Sequence, residues 1–337
     1  MDTLIFAANS VLPIILVIFL GYYLRKIKFV TDEFLKVANK VVFNLCLPAY
    51  LFYNVYNIDS FSQVNWSLVL YCVIAILVLF LMGFGCTLLY TKDNGKRGAL
   101  IQCVFRSNFA IIGLTLAESI GGSEAVTIAS VLSAFSIPLF NVLAVITLSI
   151  FGNCSSGKPT VKGILKSIAK NPLILGVCLG LVCLVIRKAE PLNALGQPVF
   201  TIKNNLPFLY KATKSVSSIA SPLALLVLGG RFTFSSVRSL AKDILYGTLW
   251  RLVIVPVTAI GALALLSANT SIITATNTDY PSLIALFASP VAVSSAIMAE
   301  AMDCHGELAR QLVVWTSLAS IVTLFLGIAI MRFVGLI

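Results

Sequence analysis

Along this chain, apolar runs of roughly 18 to 25 residues follow one another with short connectors, and each is long enough as a helix to cross a hydrocarbon core of about 30 Å. Lipid offers no hydrogen bonds to the backbone, so runs of this kind are confined to helices. Ten are predicted, at 3–24, 34–54, 66–90, 98–119, 124–151, 168–186, 206–229, 242–266, 281–302 and 307–331. Of the 337 residues 59% are hydrophobic and 11% charged, and the mean hydropathy of +0.99 lies outside the soluble range. The expected fold class is an all-α polytopic membrane protein, with no room left for a soluble domain. The first run begins beside an acid and is followed by its basic cluster, the reverse of a signal peptide, so it is read as a retained helix.

The net charge of +11 is explained by where it sits. With the N-terminus outside, inward-facing segments carry 16 basic residues and outward-facing ones 6, which puts both termini outside by the positive-inside rule. The charge is topogenic, and nucleic acid is not an expected partner. The cysteines show no metal spacing and no CxxC pair, and Cys154 falls in an inward loop where a reducing cytosol keeps it a thiol.

An internal repeat sets the expected architecture. "PIILVIFLG" (13–21) matches "PLILGVCLG" (172–180), "LPAYL" around Pro48 matches "SPLAL" around Pro222, and "SNFAIIGLTLAE" (107–118) matches "SPVAVSSAIMAE" (289–300) without a gap. The matches fall in the same order at predicted helices 1/6, 2/7 and 4/9. Five helices per half is an odd number, so the second half inserts upside down, the inverted-repeat plan of many secondary transporters. The expected divisions are a first repeat at 1–151, a Gly/Ser/Pro-containing cytoplasmic linker at 152–167 and a second, inverted repeat at 168–337.

Polar residues then converge at one depth. Counting 1.5 Å per residue from the predicted helix starts places Arg106, Asn108, Arg251 and Pro290 each about 14 to 16 Å into the membrane. Asn108 with Gly113 and Thr115, and Pro290 with Ser294 and Ser295, are the residue types that tolerate or stabilise an interrupted helix. Interrupted helices 4 and 9, crossing there, would aim half-helix N-termini at one point and suit an anion. Arg106 either supplies positive potential or pairs with a carbonyl; Arg251 either does the same or ties its helix to a neighbour through carbonyls. Pro48 and Pro222 are kinks or site elements, and Glu118 and Glu300 are solvated helix ends or proton-coupling groups. A single histidine, His305, no paired midplane carboxylates, no metal cluster and no phosphate-binding loop argue against an enzyme or an ATP-driven pump. No cofactor is expected.

These same residues carry a family resemblance over essentially the whole chain. "NFAIIGLTL" (108–116) resembles the helix-4 motif N-T-L-V-M-G-I-P-L of the auxin efflux carrier family, which includes plant PIN auxin exporters and bacterial malate and malonate permeases and is related to the bile acid/sodium symporter-like inverted-repeat superfamily. "NLCLPAYLF" (44–52) is similar to the family's helix-2 pattern, and "RLVIVP" (251–256) to its helix-8 basic residue before a proline. The resemblance implies ten helices in two inverted repeats, with helices 1, 2, 6 and 7 as a dimerising scaffold and helices 3–5 and 8–10 moving the site as an elevator. It further implies substrate contacts at Asn108, Gly113, Asn44 and Pro48, and the plasma membrane of a bacterium. Thr115 and Ser295 stand where the plant motifs have proline, helix 3 lacks the plant Asp/Lys pair and the long plant loop is absent, which points away from auxin toward a small carboxylate. The expectation is a secondary carrier of small organic anions; the alternative is a non-transporting lipid- or sterol-sensing protein on the same fold.

Overall fold

The computed structural model describes residues 2–57, 65–152, 170–191, 199–270, 273 and 275–337, without the side chains of 2–11, 14, 110, 111, 114 and 115. The predicted 152–167 linker, with Cys154, lies outside the described residues apart from Gly152. Among the described residues the chain is helical throughout, and its one β feature is an isolated bridge between Ser107 and Val291.

The order is α1 (Asp2–Lys26), α2 (Asp32–Val41), a π-helical turn (Val42–Cys46), α3 (Leu47–Tyr56), α4 (Trp66–Tyr90) and α5 (Asn94–Phe105). After a second π turn (Phe109–Gly113) comes α6 (Leu114–Phe151), then α7 (Pro172–Ala189), the short α8 (Ile202–Asn205), α9 (Pro207–Gly230) and α10 (Ser235–Leu249). A third π turn (Trp250–Ile254) leads to α11 (Val255–Asn269), α12 (Asp279–Phe287), α13 (Val293–Ala301) and α14 (Gly306–Phe333). Two of the π turns come just ahead of a proline, Pro48 and Pro256, whose missing N–H and ring displace the backbone bonding of the preceding turn.

Among the described residues seven helical stretches are long and apolar enough to cross a membrane: Asp32–Tyr56, Trp66–Tyr90, Leu116–Phe151, Pro172–Ala189, Pro207–Gly230, Ser235–Asn269 and Gly306–Phe333. Predicted helices 4 and 9 are not among them because their paths break into pieces too short to span, and predicted helix 1 corresponds to α1. The predicted boundary between helices 4 and 5, between residues 119 and 124, brackets the non-helical Gly122, where α6 breaks into two helices; its φ of 66° is one an L side chain rarely adopts.

The exterior is apolar, as lipid requires: Leu16, Phe19, Leu70, Leu81, Val185 and Leu265 are all exposed. Helices therefore cohere by close backbone approach rather than by hydrophobic exclusion. At Gly229 in α9, a Cβ would come within 1.8 Å of the Ile18 carbonyl oxygen in α1, so only glycine permits this contact. The interior is continuous, running from α1–α3 through α5, α6 and α9 to α12–α14, and it surrounds the place where the two broken paths meet.

Candidate functional site

The first break follows Phe105. Arg106 makes the last helical bond of α5, from its N–H to the Gln102 carbonyl at 3.0 Å, and then turns extended with φ −95° and ψ 100°. The second follows Phe287. Pro290 cannot donate and disfavours helical Ser289, so the chain runs extended through Ala292 (φ −61°, ψ 132°) before α13 starts. The two extended stretches pair antiparallel: Asn108 N–H donates to the Pro290 carbonyl at 2.7 Å, and Ala292 N–H donates to the Arg106 carbonyl at 3.2 Å. Val291 N–H is taken by Thr316 Oγ1 at 3.1 Å. Each break thereby satisfies part of the backbone that the other leaves open.

Helix polarity divides this crossing into two poles. Carbonyls at the ends of α5 and α12 converge on Arg251, which the Trp250–Ile254 π turn carries inward. Its Nε donates to Ser289 O at 2.9 Å, Nη1 to Val104 O at 3.0 Å, and Nη2 to Phe287 O at 2.5 Å and Leu286 O at 3.4 Å. A guanidinium suits helix C-termini, where partial negative charge collects. Of the two expectations for Arg251, the geometry favours the tie between helices: all its nitrogens are engaged by carbonyls, and it does not line the cavity at the other pole.

At that other pole lie the start of the Phe109–Gly113 turn and the start of α13, whose first N–H groups helix geometry leaves without internal partners. They border a cavity of about 60 Å³ lined by Arg106, Ser107, Asn108, Ala292, Val293 and Ser294. Its wall is completed by Leu47, Tyr50 and Leu51 of α3, by Ile137, Phe140 and Asn141 of α6, and by Ala220, Ser221 and Ala224 of α9.

Arg106 is 3% exposed, and its guanidinium is held by neutral groups: Nη1 donates to Gln102 Oε1 at 3.1 Å and lies against Met298 Sδ, while Nη2 donates to Asn141 Oδ1 at 2.7 Å. Among the described residues no carboxylate lies within ion-pair distance of it. Asn108 Nδ2, Ser107 Oγ, Ser295 Oγ and Gln102 Nε2 are buried without a hydrogen-bond partner. Buried polar atoms usually find partners, so this concentration of spare donors beside an unneutralised cation is chemically specific.

Of the residues singled out from the sequence, Arg106, Asn108 and Ser294 line this cavity, and Pro290 and Ser295 lie buried beside it. Gly113 closes the π turn, where a Cβ would press on the Phe109 ring. The side chain of Thr115 lies outside the described residues. Asn44 and Pro48 lie apart from this cavity: they line a separate groove of about 490 Å³ with Phe52, Tyr53, Gly176 and Tyr210, and Asn44 Nδ2 donates to Lys40 O. The side of α3 that meets the crossing carries Leu47, Tyr50 and Leu51.

Glu118 is exposed, whereas Glu300 pairs with Arg231 and, at 2.8 Å, with Arg310. Burial lowers the pKa of Arg231 at the end of α9, with Asp32 opposing. Among the described residues no group of three or more His, Cys, Asp or Glu side chains is arranged to hold a metal ion. Sequence reading missed Gln102 and Asn141. The signals were there: Gln102 precedes Arg106 by four residues, and Asn141 is an amide three residues after Pro138 in an apolar helix.

The comparisons with known proteins agree with a membrane carrier. Residues 6–163 and 158–328 match the model of the family described as "Membrane transport protein". "Uncharacterized transporter YfdV" of Escherichia coli (strain K12) is 24% identical over 75% of this chain and 77% of its own length. "Uncharacterized transporter MJ1031" of Methanocaldococcus jannaschii is 26% identical over 74% and 77%, respectively. An "Uncharacterized transporter" of Methanothermobacter thermautotrophicus is 25% identical over 94% of this chain and 96% of its own. A polytopic helical chain whose two broken helices meet over a buried cation, and whose family match runs almost from end to end, belongs to the membrane transport protein family, that of the auxin efflux carriers.

Proposed function

We propose that this protein is a secondary transporter of small organic anions, mono- or dicarboxylates such as malate or malonate. The observation that carries this reading is the cavity at the crossing, where the Arg106 guanidinium has only neutral partners and spare donors of Asn108 and Ser107 lie beside it. Exposing such a charge to lipid would cost about 2.5 to 3.5 kcal/mol or more, so it is retained where an anion or water can reach it. A carboxylate placed there accepts from Arg106 and Asn108 and faces the N-terminal end of α13.

Alternating access then requires the cavity to face each side in turn. Its walls divide into two sets. Helices α3 and α9 supply one wall, with the hydroxyls of Tyr50 and Ser221, and the two breaks with α6 supply the other, with Arg106 and the amides Asn108 and Asn141. In our reading the first set, with α1 and α7, is a fixed scaffold that also dimerises. The second, with α4, α5 and α10–α14, is an elevator carrying the site as a body. Ten membrane passages in two inverted repeats underlie this plan. It is supported by the order of the three segment matches and by the 182-residue offset that "SNFAIIGLTLAE" and "SPVAVSSAIMAE" share with the two helix ends, Phe105 and Phe287. We place the protein in a bacterial plasma membrane with both termini outside, on the strength of the basic residues in the connectors.

The test is uptake of labelled malate, malonate, succinate, lactate and indole acetate into proteoliposomes, with and without a pH gradient. Saturable uptake of one carboxylate class supports the reading, and dependence on the gradient identifies protons as the coupled ion. Absence of uptake of every member by folded protein would overturn it in favour of a sensor built on the same fold.

A further inference from the structure

The charge balance of the cavity says more than that its occupant is an anion. Arg106 is its one ionic group, and two side chains fix that guanidinium: Gln102, 0% exposed, and Asn141, 3% exposed. Both are amides. At Gln102, whose Nε2 has no partner, a carboxylate of the same shape would fit and would bind an arginine more strongly, so stability alone would favour Glu there. As amides they orient the guanidinium through their oxygens and leave its charge unspent. Asn141 has its Nδ2 tied to Ile137 O at 2.7 Å, which directs its oxygen at Arg106, and Gln102 keeps Nε2 without a partner.

We infer that the transported species is a small monoanion, and that Gln102 and Asn141 are the positioning residues that set this selectivity by being neutral. The inference rests on the carrier reading above and narrows it. Arg251, behind the cavity, is balanced by the carbonyl dipoles of Val104, Leu286, Phe287 and Ser289, so Arg106 is the one cation that faces the cavity, and a monoanion neutralises it. A dianion leaves one negative charge uncompensated, a neutral solute leaves the arginine uncompensated, and burial penalises both. A dicarboxylate would enter as its singly protonated form.

The experiment is equilibrium binding of labelled propionate and of labelled malonate to the purified full-length protein between pH 5 and pH 8. It uses the wild type, Asn141→Asp and Gln102→Glu, with the melting temperature measured alongside. Propionate affinity is expected to stay flat across this range. Apparent malonate affinity should fall about tenfold per pH unit above its second dissociation, as the monoanion disappears. Either acidic substitution should weaken propionate binding by about a hundredfold or more, because the new carboxylate spends the charge of Arg106 on an internal pair, and Gln102→Glu, which gives up no hydrogen bond, should leave the melting temperature at or above the wild-type value. A purely structural role predicts the opposite, undiminished propionate binding in both variants, and that result would overturn the inference. Malonate bound as tightly at pH 8 as at pH 5 would overturn it too, even if neither variant folds, and would leave the anion-carrier reading standing. Binding of neither probe by folded wild-type protein would remove both.

Discussion

Arg106 and Arg251 are buried at the same crossing, 3% and 1% exposed, and they differ in what they face. Arg251 points at helix C-termini and fills its donors with the carbonyls of Val104, Leu286, Phe287 and Ser289. Arg106 lines a cavity that two helix N-termini border, and its guanidinium is held by two amides and a thioether. The first acts as a brace, standing in for the N–H groups that two broken helices lost. The second lies beside helix N-termini, whose partial charge has its own sign. Identical side chains at an interrupted helix pair thus differ in partners, one with its donors spent on carbonyls and one with only neutral partners beside a cavity.

The contrast is broken most forcefully at Arg251. Arg251→Met should leave four buried carbonyls with fewer donors, each costing about 1 to 3 kcal/mol, and yield protein that aggregates or melts far below the wild type by size exclusion and thermal unfolding. Near-normal stability of that variant would end the brace assignment. Next in size are Arg106→Gln and Asn108→Ala, which should abolish carboxylate flux in proteoliposomes while the melting temperature stays within a few degrees; retained flux in either would remove that residue from the site. Arg106→Lys sharpens the point by keeping the charge and losing the planar fork: we expect roughly tenfold weaker uptake and no effect as large as that of glutamine. The smallest effect belongs to Glu300→Gln. Its carboxylate is partly exposed between Arg231 and Arg310, and its removal should cost about 1 kcal/mol or less of stability. The dependence of uptake on a pH gradient should survive the change, and its loss would make Glu300 a coupling group.

Much of this arrangement was legible in the sequence because lipid imposes strict rules. Helices had to follow the apolar runs, and Pro290 marked the place where the second path could not continue. The pairing of "SNFAIIGLTLAE" with "SPVAVSSAIMAE" brought the two breaks to matching positions before any contact was known. What escaped was rotational phase and partnership. Asn44 and Pro48 belonged by motif to a site region, yet the helix turns them to another groove while Leu47, Tyr50 and Leu51 meet the crossing. Arg106 and Arg251 were equivalent as letters at similar depth. Only the direction of the helix ends around them, which no spacing reveals, separates brace from binder. Gln102 and Asn141 were overlooked because a membrane amide is most often an interhelical link, and these two matter through the arginine they hold.

The central claim is that the anion binds at the crossing, against Arg106 and Asn108. A crystal structure with 3-bromopropionate, collected at the bromine absorption edge, tests it most directly. The account predicts an anomalous peak inside the cavity bordered by Arg106, Asn108 and Ser294, lost in Arg106→Gln. A peak in the groove beside Pro48 and Tyr210, with none at the crossing, would contradict it.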